Sequence, residues 1–343
     1  MSQAQGETAA IQQQVRALLD AIIQRQKAES LKDVLEWLDA KQIDNQHNHA
    51  QIHDDKISLR LEGTCEWIYS NPAYQTWISD AAPDEGARIL WICAPAGSGK
   101  TILCASMVER LKSIQDLSVA YFFASPHAQS GGEPSFIIRS WITQIARLDS
   151  NFLELLLGHV EAGQMATTST LWSIFGVIVA QNRNYTFVLD GYDEYSRDDA
   201  RANFLQTLKE RTKGTVTKIL VFSRDETDIK AQLDPSLAHV AGLTVLQCRI
   251  SKEDIRYDIS LFSKSVVNKK LPNRDESLRE DLAGQLVEKC DGMFLWIKLQ
   301  QDQIRSGQTA KKLQDVVKNM PIGLTKTYGT FHLIRLLNVQ LTC

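Results

Sequence analysis

Apolar and polar positions alternate along this chain in two different registers, and the change falls near residue 60. In residues 7–40, Ile11, Val15, Leu18, Leu19 and Ile22 fall at i, i+4, i+7, i+8 and i+11. That spacing lines one face of an α-helix. Ser30 is placed to cap a second run carrying Leu31, Val34, Leu35 and Leu38. Two structures fit this pattern: a helical hairpin packed on the next domain, or an oligomerising or signalling arm. Residues 41–58, KQIDNQHNHAQIHDDKIS, are polar and aperiodic, which predicts a linker. His47, His49, His53, Asp54 and Asp55 lie within it. Imidazoles and carboxylates suit zinc, but nothing apolar surrounds them to hold a geometry, so a solvated linker is the expectation.

Beyond residue 60 short apolar runs take over: RILWIC (88–93), SVAYFF (118–123), YTFVLD (185–190) and TKILVF (217–222). Amphipathic stretches near 101–113, 135–147, 170–181 and 199–212 separate them. Strands that are apolar on both faces and spaced by helices predict an α/β fold, a parallel sheet sandwiched by helices. Right-handed crossovers then bring every strand C-terminus to one edge, where ligands bind. From 251 the pattern becomes helical. Ser251-Lys-Glu-Asp254 reads as a capping box before Ile255, Ile259 and Phe262. Helices follow near 275–290, 293–305 and 310–319, the last ending before Pro321. The expected division is an N-terminal helical segment and polar linker (1–58), a nucleotide-binding domain (59–250), a small helical domain (251–328) and a tail (329–343). No internal repeat of solenoid length is visible.

Composition narrows the function classes. The 343 residues are 43% hydrophobic and 23% charged, with a net charge of −3. No basic field exists to hold nucleic acid or an anionic membrane by charge alone. The six cysteines are scattered, with no C-x-x-C pair, which suits a reducing compartment. No signal-peptide core opens the chain, and its most apolar stretch, 171–180, is too short to cross a bilayer. A soluble cytoplasmic protein with no membrane span and no nucleic-acid partner is expected.

The chemistry concentrates in three strand ends. Ala94-Pro95-Ala96-Gly97-Ser98-Gly99-Lys100-Thr101 follows RILWIC and opens a helical run that begins with Ile102. Strand, loop of small residues and helix make a phosphate-binding P-loop. Its backbone N–H groups converge as an anion nest, and the helix adds its positive end. Lys100 reaches the β- and γ-phosphates and the Thr101 hydroxyl ligates Mg²⁺. The usual first glycine is Ala94 here, which causes strain only if that position needs a positive φ. The second end is Tyr185-Thr-Phe-Val-Leu-Asp190-Gly-Tyr-Asp193-Glu194. A buried strand closing on a carboxylate is a Walker B arrangement, with Asp190 holding the metal. Asp193 or Glu194 orients or deprotonates the attacking water. The third is Lys218-Ile-Leu-Val-Phe-Ser223-Arg224, where Arg224 at the strand tip can sense the γ-phosphate.

These motifs, APAGSGKT, VLDGYDE and LVFSR, resemble those of the NACHT branch of the STAND class of P-loop NTPases, the fungal NOD-like receptors and nephrocystin-type proteins. The resemblance covers about residues 60–328. Gly63-Thr-Cys-Glu-Trp67-Ile68 and Gly292-Met-Phe-Leu-Trp296 are softer matches. It implies an ATP- or GTP-binding switch with Mg²⁺, in which Lys100 and Thr101 carry nucleotide and metal, Asp190 the metal, Asp193 the water and Arg224 the sensor role. It further implies a homo-oligomer or a protein signalling partner. Residues 63–68 and Trp77 would lie beneath the base, although bulky anchors such as Trp67, Tyr74 and Trp77 are expected first of all to pack. The winged-helix and repeat modules usual in the family have no counterpart here, so a truncated or minimal member is expected. The leading expectation is a signalling switch with slow nucleoside triphosphate hydrolysis. The alternatives are a non-catalytic nucleotide-binding scaffold and, more remotely, a P-loop kinase, for which no basic lid segment is visible. A GTPase lacks its guanine-reading N-K-x-D motif.

Overall fold

In a computed structural model, the described residues are 2–41, 48–79, 87–115, 117–124, 134–181, 185–195, 199–236 and 242–323. His47 and the tail 329–343 lie outside them. At the centre is a five-stranded, wholly parallel sheet of β1 (Ala87–Cys93), β2 (Ser118–Phe123), β3 (Tyr185–Asp190), β4 (Lys218–Ser223) and β5 (Leu243–Arg249), ordered β2-β3-β4-β1-β5. The α/β expectation is met. Four of the five strands match the apolar runs; β5, with Thr244, Gln247 and Arg249 mixed into it, is an addition.

Strand periodicity divides the core into two layers. Leu90 and Ile92 of β1, Val188 of β3 and Leu220 and Phe222 of β4 face one way. They meet α4 (Lys100–Lys112), and the cluster continues from there into α10 (Arg256–Lys270) and α11 (Glu276–Lys289), which pack on each other. Ile89, Trp91, Phe187, Leu189, Ile219 and Val221 face the other way. They meet α5 (Ser135–Leu148), α7 (Thr168–Ala180) and α8 (Asp199–Thr212). Both faces are covered, so the strands read as continuous apolar runs. Each such side chain contributes about 1.5–3 kcal/mol of burial.

The edge strand β2 is shielded by side chains, which protects a row of open backbone groups. The Gln144 amide accepts from Tyr121 N–H (3.0 Å) and donates to Tyr121 C=O (2.7 Å). His49 Nδ1 accepts from Phe123 N–H at 3.2 Å, which requires a neutral ring with its proton on Nε2.

That contact corrects the linker expectation. His49–Leu59 is a helix, α2, with Asn48 as its N-cap. His49, Ile52 and His53 fall at i, i+3 and i+4, and the two imidazoles are buried where an aliphatic pattern was sought. His53 Nδ1 lies 3.1 Å from Asp54 and its Nε2 lies 3.6 Å from Glu109. Among the described residues no group of three or more His, Cys, Asp or Glu is arranged to hold a metal. The hairpin expectation is corrected as well, because Ser2–Trp37 is one continuous helix, α1. Only its C-terminal end packs, through Leu31, Val34, Trp37 and Leu38.

The remaining helices are α3 (Pro72–Ile78), α6 (Ser150–Glu161), α9 (Thr227–Leu233), α12 (Phe294–Gln300) and α13 (Ala310–Asn319). Trp77 is fully buried and donates its Nε1–H to the Arg88 carbonyl at 3.2 Å, so it packs. The reciprocal bonds expected of Ser251 and Asp254 form, but they close a turn ahead of α10, whose N-cap, Ile255, has no side-chain cap bond: Ser251 N–H and Oγ–H donate to Asp254 Oδ2 at 2.8 and 2.7 Å. Ser251 Oγ in turn accepts from Asp254 N–H at 3.2 Å. Among the described residues no helix is long and apolar enough to cross a membrane.

Candidate functional site

Sheet order puts β4 between the strand that feeds the phosphate loop and the strand that ends on Asp190. Cys93 sits level with Ser223, and Leu189 with Val221. Three of the motifs read from sequence therefore open at one edge of the sheet.

The loop after β1 has the backbone its sequence implies. Gly97 (φ 77°) and Gly99 (φ 87°) lie in the left-handed region, where a Cβ is strained. Among the described residues the non-glycine positions with positive φ are Asp39, Cys65 and Asp291. Ala94 is therefore unstrained, and alanine in place of the usual glycine costs nothing there. Pro95 and Ala96 continue the turn, and Ser98 Oγ–H closes it on the Pro95 carbonyl at 2.9 Å. Lys100 Nζ donates to the carbonyls of Ala94 and Pro95, both at 2.9 Å. Ile102 packs against the core from the first turn of α4.

Three carboxylates meet this loop. Asp190 is buried; its carboxyl is pushed up to about 6 by burial, opposed by a hydrogen bond from Thr101 and the charge of Lys100. Glu194 is pushed up to about 8, first by burial and then by the charges of Asp190 and Asp193. Asp190 Oδ1 and Glu194 Oε2 are buried and find no hydrogen-bond partner among the described residues. Burial lowers the Lys100 ammonium, and Asp193 and Asp190 oppose that shift. Lys100, Thr101, Asp190, Asp193 and Glu194 thus form one electrostatic unit.

Arg224 is joined to this unit in a specific way. Its Nε–H donates to Asp193 Oδ2 at 2.9 Å and its backbone N–H donates to Asp193 Oδ1 at 2.9 Å. Asp193 commits both oxygens to Arg224, whereas Glu194 keeps Oε2 open. Sequence reasoning placed Asp193 and Glu194 together but missed this pairing.

It also missed Arg201. This fully buried residue on α8 donates to Asp228 through Nε (2.7 Å) and Nη2 (2.5 Å), and to Glu226 through Nη2 (2.8 Å). Its Nη1 reaches the carbonyls of Asp193 (3.3 Å) and Tyr195 (3.1 Å). Asp225 pairs with Arg249 at the end of β5. The loop after β4 is thereby pinned to the β3 tip, to β5 and to α8 by successive residues. Arg201, Phe204, Leu205 and Leu208 follow the i, i+3, i+4, i+7 spacing of a buried face. An arginine on that stripe is the signal that could have disclosed it.

The GMFLW segment sits directly on the phosphate loop. A Cβ built on Gly97 would lie 2.8 Å from Leu295 Cβ, and one on Gly99 3.3 Å from the Phe294 ring. Leu295 N–H donates to the Gly97 carbonyl at 3.4 Å, and Phe294 packs edge-on against Phe262 of α10 at 5.6 Å. Gly97→Ala is expected to lose about 2 kcal/mol of stability, since it adds left-handed strain to a contact that must shift. A thermal melt checks it, with Gly158→Ala as the control, because nothing lies within 4 Å of that position.

Comparison with known proteins fits this geometry. Residues 63–224 match the family described as Nephrocystin 3, N-terminal. The chain is 23% identical over 307 residues to the vegetative incompatibility protein HET-E-1 of Podospora anserina. That alignment covers 85% of this chain and 22% of the relative, so the chain spans about a fifth of that protein's length. Among solved structures, the Walker-type ATPase PABY2304 of Pyrococcus abyssi aligns at 12% identity and TM-score 0.48, over 82% of this chain and 77% of that one. Cdc6p from Pyrobaculum aerophilum aligns at 14% identity and TM-score 0.38, over 76% and 71%. Residues 63–224 are thus similar to the Nephrocystin 3, N-terminal family, and the motifs and the parallel sheet are those of an α/β P-loop fold.

Proposed function

We propose that the chain is a nucleotide-dependent signalling switch that binds Mg-ATP at residues 94–102 and hydrolyses it slowly. The observation that carries this reading is the convergence of Lys100, Thr101, Asp190 and Glu194 at the glycine loop, with two buried carboxylate oxygens left open. Such oxygens suit a hard divalent cation, so the residues present fit Mg²⁺, with Thr101 and Asp190 as its protein ligands. When bound, the ion neutralises charge on the phosphates. Lys100 exchanges its two loop carbonyls for phosphate oxygens. Glu194, unlike Asp193, has an open oxygen to take a proton from water. Arg224, tied to Asp193, stabilises charge on the transferred group only by turning away from that pair.

Slow turnover follows from the same features. In the ligand-free chain burial holds the Glu194 carboxyl up to about 8, so the base must give up its proton as metal and phosphates bind, and an arginine held in an ion pair is not poised on substrate. The switch element is the contact of α12 on the loop: a ligand that fits one arrangement of α12 better than another shifts the balance between them. The helical segment from 251 to 328 acts in this reading as a separate unit moving on the nucleotide-binding domain.

Thermal denaturation with and without Mg-ATP tests the reading. Saturating ligand should raise stability by about 3 kcal/mol at a hundredfold excess over Kd. Lys100→Ala should erase that rise while leaving the ligand-free melt close to wild type. An unchanged rise in Lys100→Ala would sink the proposal.

A further inference from the structure

We propose that the apolar stripe on the N-terminal part of α1 is a self-association surface whose occupant is the same stripe on a second copy of this chain. Every residue from 13 to 29 is exposed. Val15, Leu18, Leu19, Ile22 and Ile23 are nevertheless 48–64% exposed aliphatic side chains, contiguous on one side of the helix. Leu31, Val34 and Leu38 carry the packing onto α5 and α6. Eighteen positions, five full turns, separate Leu19 from Trp37, and eleven, about three turns, separate Ile23 from Val34. The exposed stripe therefore runs on from the packed end of α1 along a stretch in which every residue from 13 to 29 is exposed.

The occupant follows from chemistry and area. Val15, Leu18 and Ile22 follow the three-then-four spacing of a coiled-coil seam. The positions flanking that seam are Gln14, Leu19, Ala21 and Gln26, all uncharged. Two copies meet there without like charges in register, and nothing selects an oppositely charged partner. Arg25 and Glu29, paired at 3.1 Å, end the seam with polar groups. A membrane surface is disfavoured, since Arg16, Arg25 and Lys27 are offset by Asp20 and Glu29 and form no basic face. The five side chains expose on the order of 500 Å² per copy, so a symmetric pair buries at most about 1,000 Å² in total, the size at which specific pairing begins.

The experiment is sedimentation equilibrium of the full chain over a range of concentrations, beside Leu18→Gln/Ile22→Gln and the opposite-face control Gln24→Lys. The expected result is a reversible dimer in wild type and control, with association weakened on the order of 100-fold or more in the double variant. At concentrations well below the dimer dissociation constant the melting temperature should be the same in all three, because the altered side chains touch no core. A wild type that stays monomeric at its solubility limit overturns the proposal. So does a double variant that dimerises as tightly as wild type. The proposal does not rest on nucleotide binding, and the Mg-ATP thermal shift should be equal in all three proteins.

Discussion

Arg201→Ala is expected to destabilise the protein by about 3–5 kcal/mol, the cost of removing one partner from a buried ion pair. The melting temperature should fall on the order of 10 °C. Arg201 is fully buried, and its fork serves two carboxylates and two carbonyls. Without it, Glu226 is left largely buried with uncompensated charge, and the Asp193 and Tyr195 carbonyls lose a donor. Arg201→Lys keeps the charge but not the planar fork, so it should recover only part of the loss. The informative variant is the triple change Arg201→Met, Glu226→Gln and Asp228→Asn. If orphaned charge is the main cost, this protein should be more stable than Arg201→Ala alone. A triple variant no more stable than the single one would place the cost in packing instead. Because Arg201 also braces the carbonyl of Asp193, any Arg201 variant that folds should bind Mg-ATP with the β3 tip less firmly set.

What could be read from the sequence divides along physical lines. Strands buried on both faces announce themselves as unbroken apolar runs, and all four such runs are strands. A loop that must curl around an anion is limited to small residues, so it too is visible. β5 escaped because it is an edge strand with polar residues interleaved. α2 escaped because its buried face uses His49 and His53, residues whose polarity hides their packing role; bonds to backbone and neighbouring side chains are what make that burial tolerable. Long-range pairings were beyond any local pattern. Asp193 with Arg224, Asp225 with Arg249 and Arg201 with Asp228 join residues more than twenty positions apart. The same holds for Leu295 on Gly97: the GMFLW segment drew notice, but its seat on the phosphate loop is a tertiary fact.

Glu194→Gln is expected to abolish most phosphate release while leaving Mg-ATP binding intact, a fall on the order of 10²–10⁴-fold if Glu194 is the general base. Asp193→Asn should act differently. It weakens the hold on Arg224, so both turnover and the stability of the β3–β4 edge should change. The pH dependence separates the two further. Glu194 is held up to about 8 and Asp190 to about 6 in the folded chain, both above the range of an exposed carboxylate. From about pH 4.5 upward the unfolded chain has given up these protons and the folded chain still holds them, so folded protein binds more protons and its stability falls as pH rises. The contribution is complete below the unfolded value and lost through pH 8. Ligand-free wild type should therefore melt lower at pH 8 than at pH 5.5, and Glu194→Gln should flatten that decline by removing its upper part. Turnover should rise over the same interval as Glu194 ionises. Mg²⁺ at the open oxygens favours the ionised forms and should shift both curves to lower pH. A Glu194→Gln protein whose melting temperature declines with pH as steeply as wild type, while phosphate release is undiminished, would remove Glu194 from the site's chemistry.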